Sequence, residues 1–241
     1  DAMNLQKDGA QRLIENGGEF QSELKKLALH FSITNQYANE EVPSSYGYLS
    51  GYSGNRNESV DIIIADFDAQ IKVLDSHFNC GTRYNPDWIV RAHAVVPKWV
   101  EKFFATFPWQ HLAPTYREAV QKVLDLIKQT RNGAFRNYRD ESELGLNQLL
   151  ESPKSVEFWK KLAGRQGVQN ILAAPAQFGI HHRGRSVRRA GEVMNANECG
   201  LGAFAIGIML LTHPERLKHY DDLRIDCADD EFSPHACYVF S

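Results

Sequence analysis

The sequence has few cysteines and no long apolar run. Its four cysteines form no Cys-x-x-Cys pair, which disfavours a structural zinc site, and they are too few for a disulfide scaffold in a chain of 241 residues. We therefore expect free thiols and a reducing compartment, the cytoplasm. The longest apolar segment, 201–211, is far shorter than the roughly 18 residues that span a bilayer, so no membrane partner is expected.

The chain also lacks a strong excess of charge of either sign. With 27 basic and 30 acidic residues the net charge is −3, which gives no general attraction to nucleic acid. The remaining partner classes are a small-molecule or peptide substrate, or another protein. The length favours a single domain, 1–241, and the alternative is a helical domain 1–135 followed by an α+β domain 145–241.

Helical periodicity dominates the first two-thirds of the chain. Apolar residues recur at spacings of three and four, the pattern of amphipathic helices. Most of these stretches follow an Asn, Ser or Thr, whose side chain can accept the free amides of a first helical turn. The predicted helices are 4–31, one that starts after Asn57 or Ser59 and ends at Phe78, one from Pro86 to Phe107, one after Thr115, and one from Pro153 to Gly164.

The pattern changes in the last fifth of the chain. Residues 201–211 are apolar on every face, which predicts a helix that is buried all round. Residues 223–227 and 236–240 are short and rich in β-formers, which predicts two strands. The sequence thus predicts a mainly helical α+β fold, with a small C-terminal β element beside a buried, glycine-containing helix.

Cys199 is the first candidate for a catalytic residue. A thiol at the start of a helix feels the positive end of the helix dipole, which favours the thiolate. The amides around Gly200 can stabilise an oxyanion, and His235, just ahead of a predicted strand, is the candidate base. This order of cysteine at a helix start and histidine at a sheet edge is similar to that of thiol hydrolases with the papain-like architecture.

A catalytic histidine also needs a group that orients its ring. Three aspartates shortly before His235 are the candidates for this role: Asp226, Asp229 and Asp230. The leading hypothesis is therefore a cysteine-dependent hydrolase or acyl-transferase that acts on an amide or ester. The alternative is that Cys199 is a small buried residue of the core, because free cysteine is among the most buried residue types.

Residues 174–199 are predicted to form a loop, and they include a basic segment, 181–189 (HHRGRSVRR). Arginines and histidines in such a cluster can hold a phosphate or carboxylate by paired hydrogen bonds. The alternative is internal pairing with the acidic segment 221–231. The candidate anion-binding residues are His182, Arg183, Arg185, Arg188, Arg189 and Gly200.

A second loop, 43–57, is rich in Tyr, Ser and Gly, the composition of adaptable binding surfaces. Together with the basic segment it suggests a rival function, a non-enzymatic module that binds a protein or an anionic ligand. No metal or other cofactor is predicted, because the histidines do not pair with carboxylates at the i, i+4 spacing typical of helical iron or zinc sites.

Overall fold

The computed structural model confirms the predicted α+β fold, in which helices predominate. It describes residues 35–131, 149–167, 169–195, 197–218, 223–232 and 236–240, with Phe135 and eight residues between 11 and 24. The helices of this part of the chain are α1 (Val60–Phe78), α2 (Pro86–Val95), α3 (Tyr116–Thr130), α4 (Pro153–Gln166), α5 (Val187–Val193) and α6 (Ala203–Thr212). The strands are β1 (Lys102–Thr106), β2 (Leu149–Glu151), β3 (Leu172–Ala176), β4 (Ile225–Phe232) and β5 (Ala236–Phe240). Most of the predicted helix 4–31 lies outside the described residues.

The strands form two small antiparallel sheets. β1 pairs with β3, with Lys102 opposite Ala176, and both strands are buried. β4 is the central strand of the second sheet, between β2 and β5, in the order β2-β4-β5. The two strands predicted at the C-terminal end are therefore present, and β4 is longer than the sequence indicates. None of the described helices is long and apolar enough to cross a membrane.

Three predicted helix starts are confirmed by their caps. The side chains of Asn85, Thr115 and Ser152 each accept a hydrogen bond from the backbone N–H three residues further on, at 3.1, 3.3 and 3.1 Å. Pro86 and Pro153 occupy the first turn of their helices, where no backbone N–H donor is needed. These starts are local features, since cap and helix are adjacent in the chain.

The helix predicted from Pro86 to Phe107 is wrong in its second half. α2 ends at Val95, and β1 follows at Lys102. The physical reason is Pro97, whose ring disfavours helical backbone at Val96, and Val96 is extended. β1 is buried along its whole length and carries apolar residues in succession, and periodicity alone cannot distinguish so short an apolar run from a buried helix.

Two further boundaries differ from the predictions. Residues 174–199 are not one loop, because they contain the end of β3 and the helix α5. Ser186 caps α5 by accepting the N–H of Arg189 at 3.1 Å, and a helix of seven residues is too short to show periodicity. α4 continues past Gly164 to Gln166, where Gly167 ends it with a positive φ of 78°.

The buried helix α6 lies at the centre of the core, as predicted. Eight of its ten residues are buried, and it packs against α1, α3, β1 and β4. Gly207 makes this packing close, since a Cβ at that position would lie 2.6 Å from Cγ1 of Val123 on α3. The helix therefore carries a glycine in its interior because α3 leaves no room for a larger residue.

We expect Gly207→Ala to lower the free energy of unfolding by about 1–3 kcal/mol, because overpacking a rigid core outweighs the better helix propensity of alanine. Gly164→Ala is the matched control, since nothing lies within 4 Å of its added Cβ on α4. That variant should gain about 0.5–1 kcal/mol. Urea denaturation measures both changes, and equal effects of the two substitutions would contradict the close approach of α3 and α6.

Candidate functional site

A cleft of about 650 Å³ lies between α2, α4, the end of β3, the basic segment and the start of β4. Its volume is in the range of sites for small organic ligands. Aromatic and aliphatic side chains form much of its wall, among them Trp88, Trp99, Phe158, Val100 and Leu162. The cleft therefore combines an apolar interior with polar groups that the neighbouring loops supply.

The cleft brings together several of the residues predicted from the sequence. Its lining includes Cys199, Gly200, His182, Arg183, Arg185 and Asp226. Arg188, Arg189, Asp229 and Asp230 lie elsewhere in the described structure and do not line it. His235 lies outside the described residues, so the proposed pairing of Cys199 with His235 remains a prediction.

Arginine dominates the charge of the cleft. Five arginines line it, against two carboxylates, those of Glu198 and Asp226. The five are Arg91, Arg165, Arg183, Arg185 and Arg224. Arg91 on α2 and Arg165 on α4 are exposed and make no hydrogen bond or ion pair with any described residue. Their guanidinium groups are therefore available to an anion.

Three of the four arginines of the basic segment form ion pairs with acidic residues outside the segment 221–231. Glu41 accepts from Arg185 Nη2 at 2.8 Å and from Arg189 Nε at 2.9 Å, and these hydrogen bonds lower the pKa of Glu41. Arg188 forms an ion pair with Glu40. Within the described residues, which include 223–231 of the acidic segment, these arginines pair with two glutamates that precede α1. The contact of these glutamates with the basic segment is not evident from the sequence.

Only part of the loop 43–57 is exposed to solvent. Tyr52 is 5% exposed and belongs to the hydrophobic core, where its ring contacts Phe178. The hydroxyl of Tyr48 donates to Glu101 at 2.9 Å. Tyr46 is 46% exposed. The tyrosines at 48 and 52 therefore attach the loop to the core, and only Tyr46 keeps an exposed ring.

Cys199 lies four residues before α6 rather than in its first turn, because the helix is capped at Gly202. Burial raises the pKa of the Cys199 thiol well above its usual range, and the nearby carboxylate of Asp229 raises it further. Burial also raises the pKa of Asp229, which Lys154 and the backbone amide of Gly200 lower. The environment of the sulfur therefore favours the thiol over the thiolate.

Asp230, a candidate for orienting the base, instead caps α6. Its Oδ2 accepts from Ala203 N at 2.7 Å, and its Oδ1 accepts from the hydroxyl of Tyr116 at 2.7 Å. The same hydroxyl accepts from Phe204 N at 3.3 Å. Burial raises the pKa of Asp230 to about 7, although these hydrogen bonds oppose the shift. Asp230 is thus part of the structural core.

A cluster that the sequence analysis missed lies at one side of the cleft. Nε2 of His181 is 3.5 Å from Oε1 of Glu198, and Nε2 of His182 is 3.9 Å from Oε2. Burial lowers the pKa of both histidines, to about 4 for His182. The search for helical i, i+4 spacing cannot find this group, because its members lie in two separate turns. The signal for this cluster in the sequence is the pair of adjacent histidines, His181 and His182.

Comparisons with known proteins give no guide to what this site does. No family model matches the chain, and no curated protein or solved structure matches it significantly.

We expect stability to fall between about pH 4 and pH 7 through Asp230. In this range the folded protein keeps a proton that the unfolded chain has lost, because the pKa of Asp230 is raised on folding. The loss is complete above the folded pKa and is on the order of 2–4 kcal/mol. The stability of Asp230→Asn, measured by thermal melting across this pH range, should not show this loss.

Asp125→Asn is the control for this experiment, since it removes an exposed carboxylate from α3. It should keep the pH dependence of the original protein. The other buried carboxyls contribute equally to the pH dependence of every variant. The difference between the stability curves of Asp230→Asn and Asp125→Asn therefore isolates Asp230. A curve for Asp230→Asn that parallels the original one would contradict the assignment.

Proposed function

We propose that this protein binds a small organic anion, with a carboxylate or phosphate on an apolar body, in the cleft between α2 and α4. The observation that carries the proposal is the set of five arginines around an apolar wall of ligand-sized volume. Arginine suits this role because its planar, permanently charged group matches carboxylates and phosphates with two parallel hydrogen bonds.

The distribution of the arginines supports a division of roles. Arg185 forms an ion pair with Glu41, which also pairs with Arg189, so the charge of Arg185 is partly offset within the protein. Arg91 and Arg165 have no acidic partner among the described residues and supply the attraction for an anion. The aromatic rings of Trp88, Trp99 and Phe158 offer flat apolar surface to the rest of the ligand.

The dye 1-anilinonaphthalene-8-sulfonate tests this division, because it is aromatic and anionic. We expect the double variant Arg91→Gln, Arg165→Gln to bind the dye about tenfold more weakly than the original protein, as measured by fluorescence titration. The neutral analogue N-phenyl-1-naphthylamine should bind both proteins equally, because it uses only the apolar wall.

The matched control is the double variant Arg83→Gln, Lys128→Gln, which removes the same charge from exposed positions that do not line the cleft. It should bind both dyes as the original protein does. If both double variants weakened the sulfonate equally, general electrostatics would explain the binding and the proposal would be wrong.

A second candidate function is the cysteine-dependent hydrolase or acyl-transferase. It is favoured by one observation, that Cys199 and Asp226 line the same cleft as the arginines, where a substrate anion would lie. In this proposal Cys199 is the nucleophile, His235 the base, and Asp226 or Asp229 orients the base, because both oxygens of Asp230 are used at the start of α6. The raised pKa of the thiol supports binding over catalysis in the ligand-free protein.

Alkylation of Cys199 distinguishes the anion-binding function from the hydrolase function. We expect iodoacetamide to modify Cys199 at least tenfold more slowly at pH 7 than it modifies free cysteine, because only the thiolate reacts. The rate should rise steeply towards pH 10. Mass spectrometry of the native protein gives the rate for each cysteine, and unfolding in urea should make all four react alike. Fast modification of Cys199 at pH 6 would instead support the hydrolase.

A further inference from the structure

We infer that His181, His182 and Glu198 form a binding site for a divalent transition-metal ion at the side of the cleft. Each residue offers one ligand atom, and the three atoms lie within 4.8 Å of one another. Two imidazoles and one carboxylate are a ligand set used by zinc and by other first-row metal ions, which leaves further positions open to water or a ligand.

The spacing of the ligand atoms is close to that of a formed site. Two atoms that each lie about 2.1 Å from a tetrahedral Zn²⁺ are about 3.4 Å apart. Here His181 Nε2 and Glu198 Oε1 are 3.5 Å apart, and His182 Nε2 and Glu198 Oε2 are 3.9 Å apart. Since all three ligand atoms lie within 4.8 Å of one another, side-chain movements of about an ångström would bring them to the spacing of a formed site.

Glu198 gives independent evidence that a ligand belongs here. Its side chain is only 4% exposed, yet Oε1 has no hydrogen-bond partner among the described residues. A buried carboxylate oxygen without a partner is costly, and a cation between it and the two imidazoles would satisfy it. The other oxygen, Oε2, accepts from the backbone N–H and the side-chain amide of Asn195 at 2.6 and 3.0 Å.

The surroundings hold the ligands in place. The ring of Trp99 stacks on that of His181, with centroids 4.7 Å apart and planes inclined by 14°. Asn195 fixes the carboxylate of Glu198, the kind of outer contact that orients metal ligands. His182 and Glu198 also line the cleft, so the open positions of the metal would face a bound anion.

Among the described neighbours of the cluster, Arg185 must adjust when a metal ion binds. Its Nη1 lies 3.1 Å from Nδ1 of His182, and because arginine is always protonated, Nδ1 is the acceptor and Nε2 carries the proton. A metal ion on Nε2 moves that proton to Nδ1, and Arg185 can then no longer donate to the ring. Its ion pair with Glu41 and its contact with the carbonyl of His181 remain available.

Titration calorimetry of the metal-free full chain with Zn²⁺ tests the site. We expect one ion per chain with a dissociation constant in the micromolar range or below. Glu198→Gln and His181→Gln should each weaken binding at least tenfold, while His77→Gln, which removes an exposed histidine from the end of α1, should leave it unchanged. Co²⁺ in place of Zn²⁺ should give visible absorption bands that the two cluster variants lose.

Thermal melting without metal shows whether each variant still folds, and His182→Gln replaces any that does not. The inference is overturned if the chain binds no Zn²⁺ below about 100 µM, or if the cluster variants bind it as tightly as His77→Gln does. These outcomes are independent of the dye experiment, because metal binding is measured without an organic anion. Failure of the metal site and failure of the anion cleft can therefore be told apart.

Discussion

The buried carboxylate of Asp230 is the interaction on which the arrangement around α6 depends. An apolar helix in a core has no water to satisfy the free amides of its first turn, so a protein group must do so. Asp230 from β4 and the hydroxyl of Tyr116 from α3 accept the first two N–H groups of α6 and also bind each other. One polar cluster thereby joins three elements that are far apart in sequence.

This cluster also sets the course of the chain that enters α6. Gly202 must approach the capping groups closely, since a Cβ there would lie 2.3 Å from Oδ1 of Asp230 and 2.5 Å from the Tyr116 hydroxyl. The segment before it, with Glu198, Cys199 and Gly200, is held between β4 and the basic segment, where these three residues line the cleft. The requirement to cap a buried helix therefore helps to shape the candidate site.

Charge pairing in the basic segment decides which groups remain for a ligand. Glu40 and Glu41 form ion pairs with Arg185, Arg188 and Arg189, which offset two of these three positive charges and hold the segment in place. Arg91 and Arg165, which lie in ordinary amphipathic helices and attract no notice in the sequence, add positive charge to the cleft that no described acid pairs. The residues that look most basic in the sequence are largely structural, and single arginines from separate helices carry the attraction for an anion.

The sequence by itself determined the features that depend on near neighbours. Asn85, Thr115 and Ser152 mark helix starts because each cap lies three residues from the amide it accepts, and the unbroken apolar pattern of 201–211 requires burial on every side. Only the tertiary structure decided which groups meet across the chain. Glu41 contacts Arg185 from 144 residues away, and His181 reaches Glu198 across α5. Such contacts follow from the topology of the packed helices and sheets, which local patterns of caps and apolar residues do not encode.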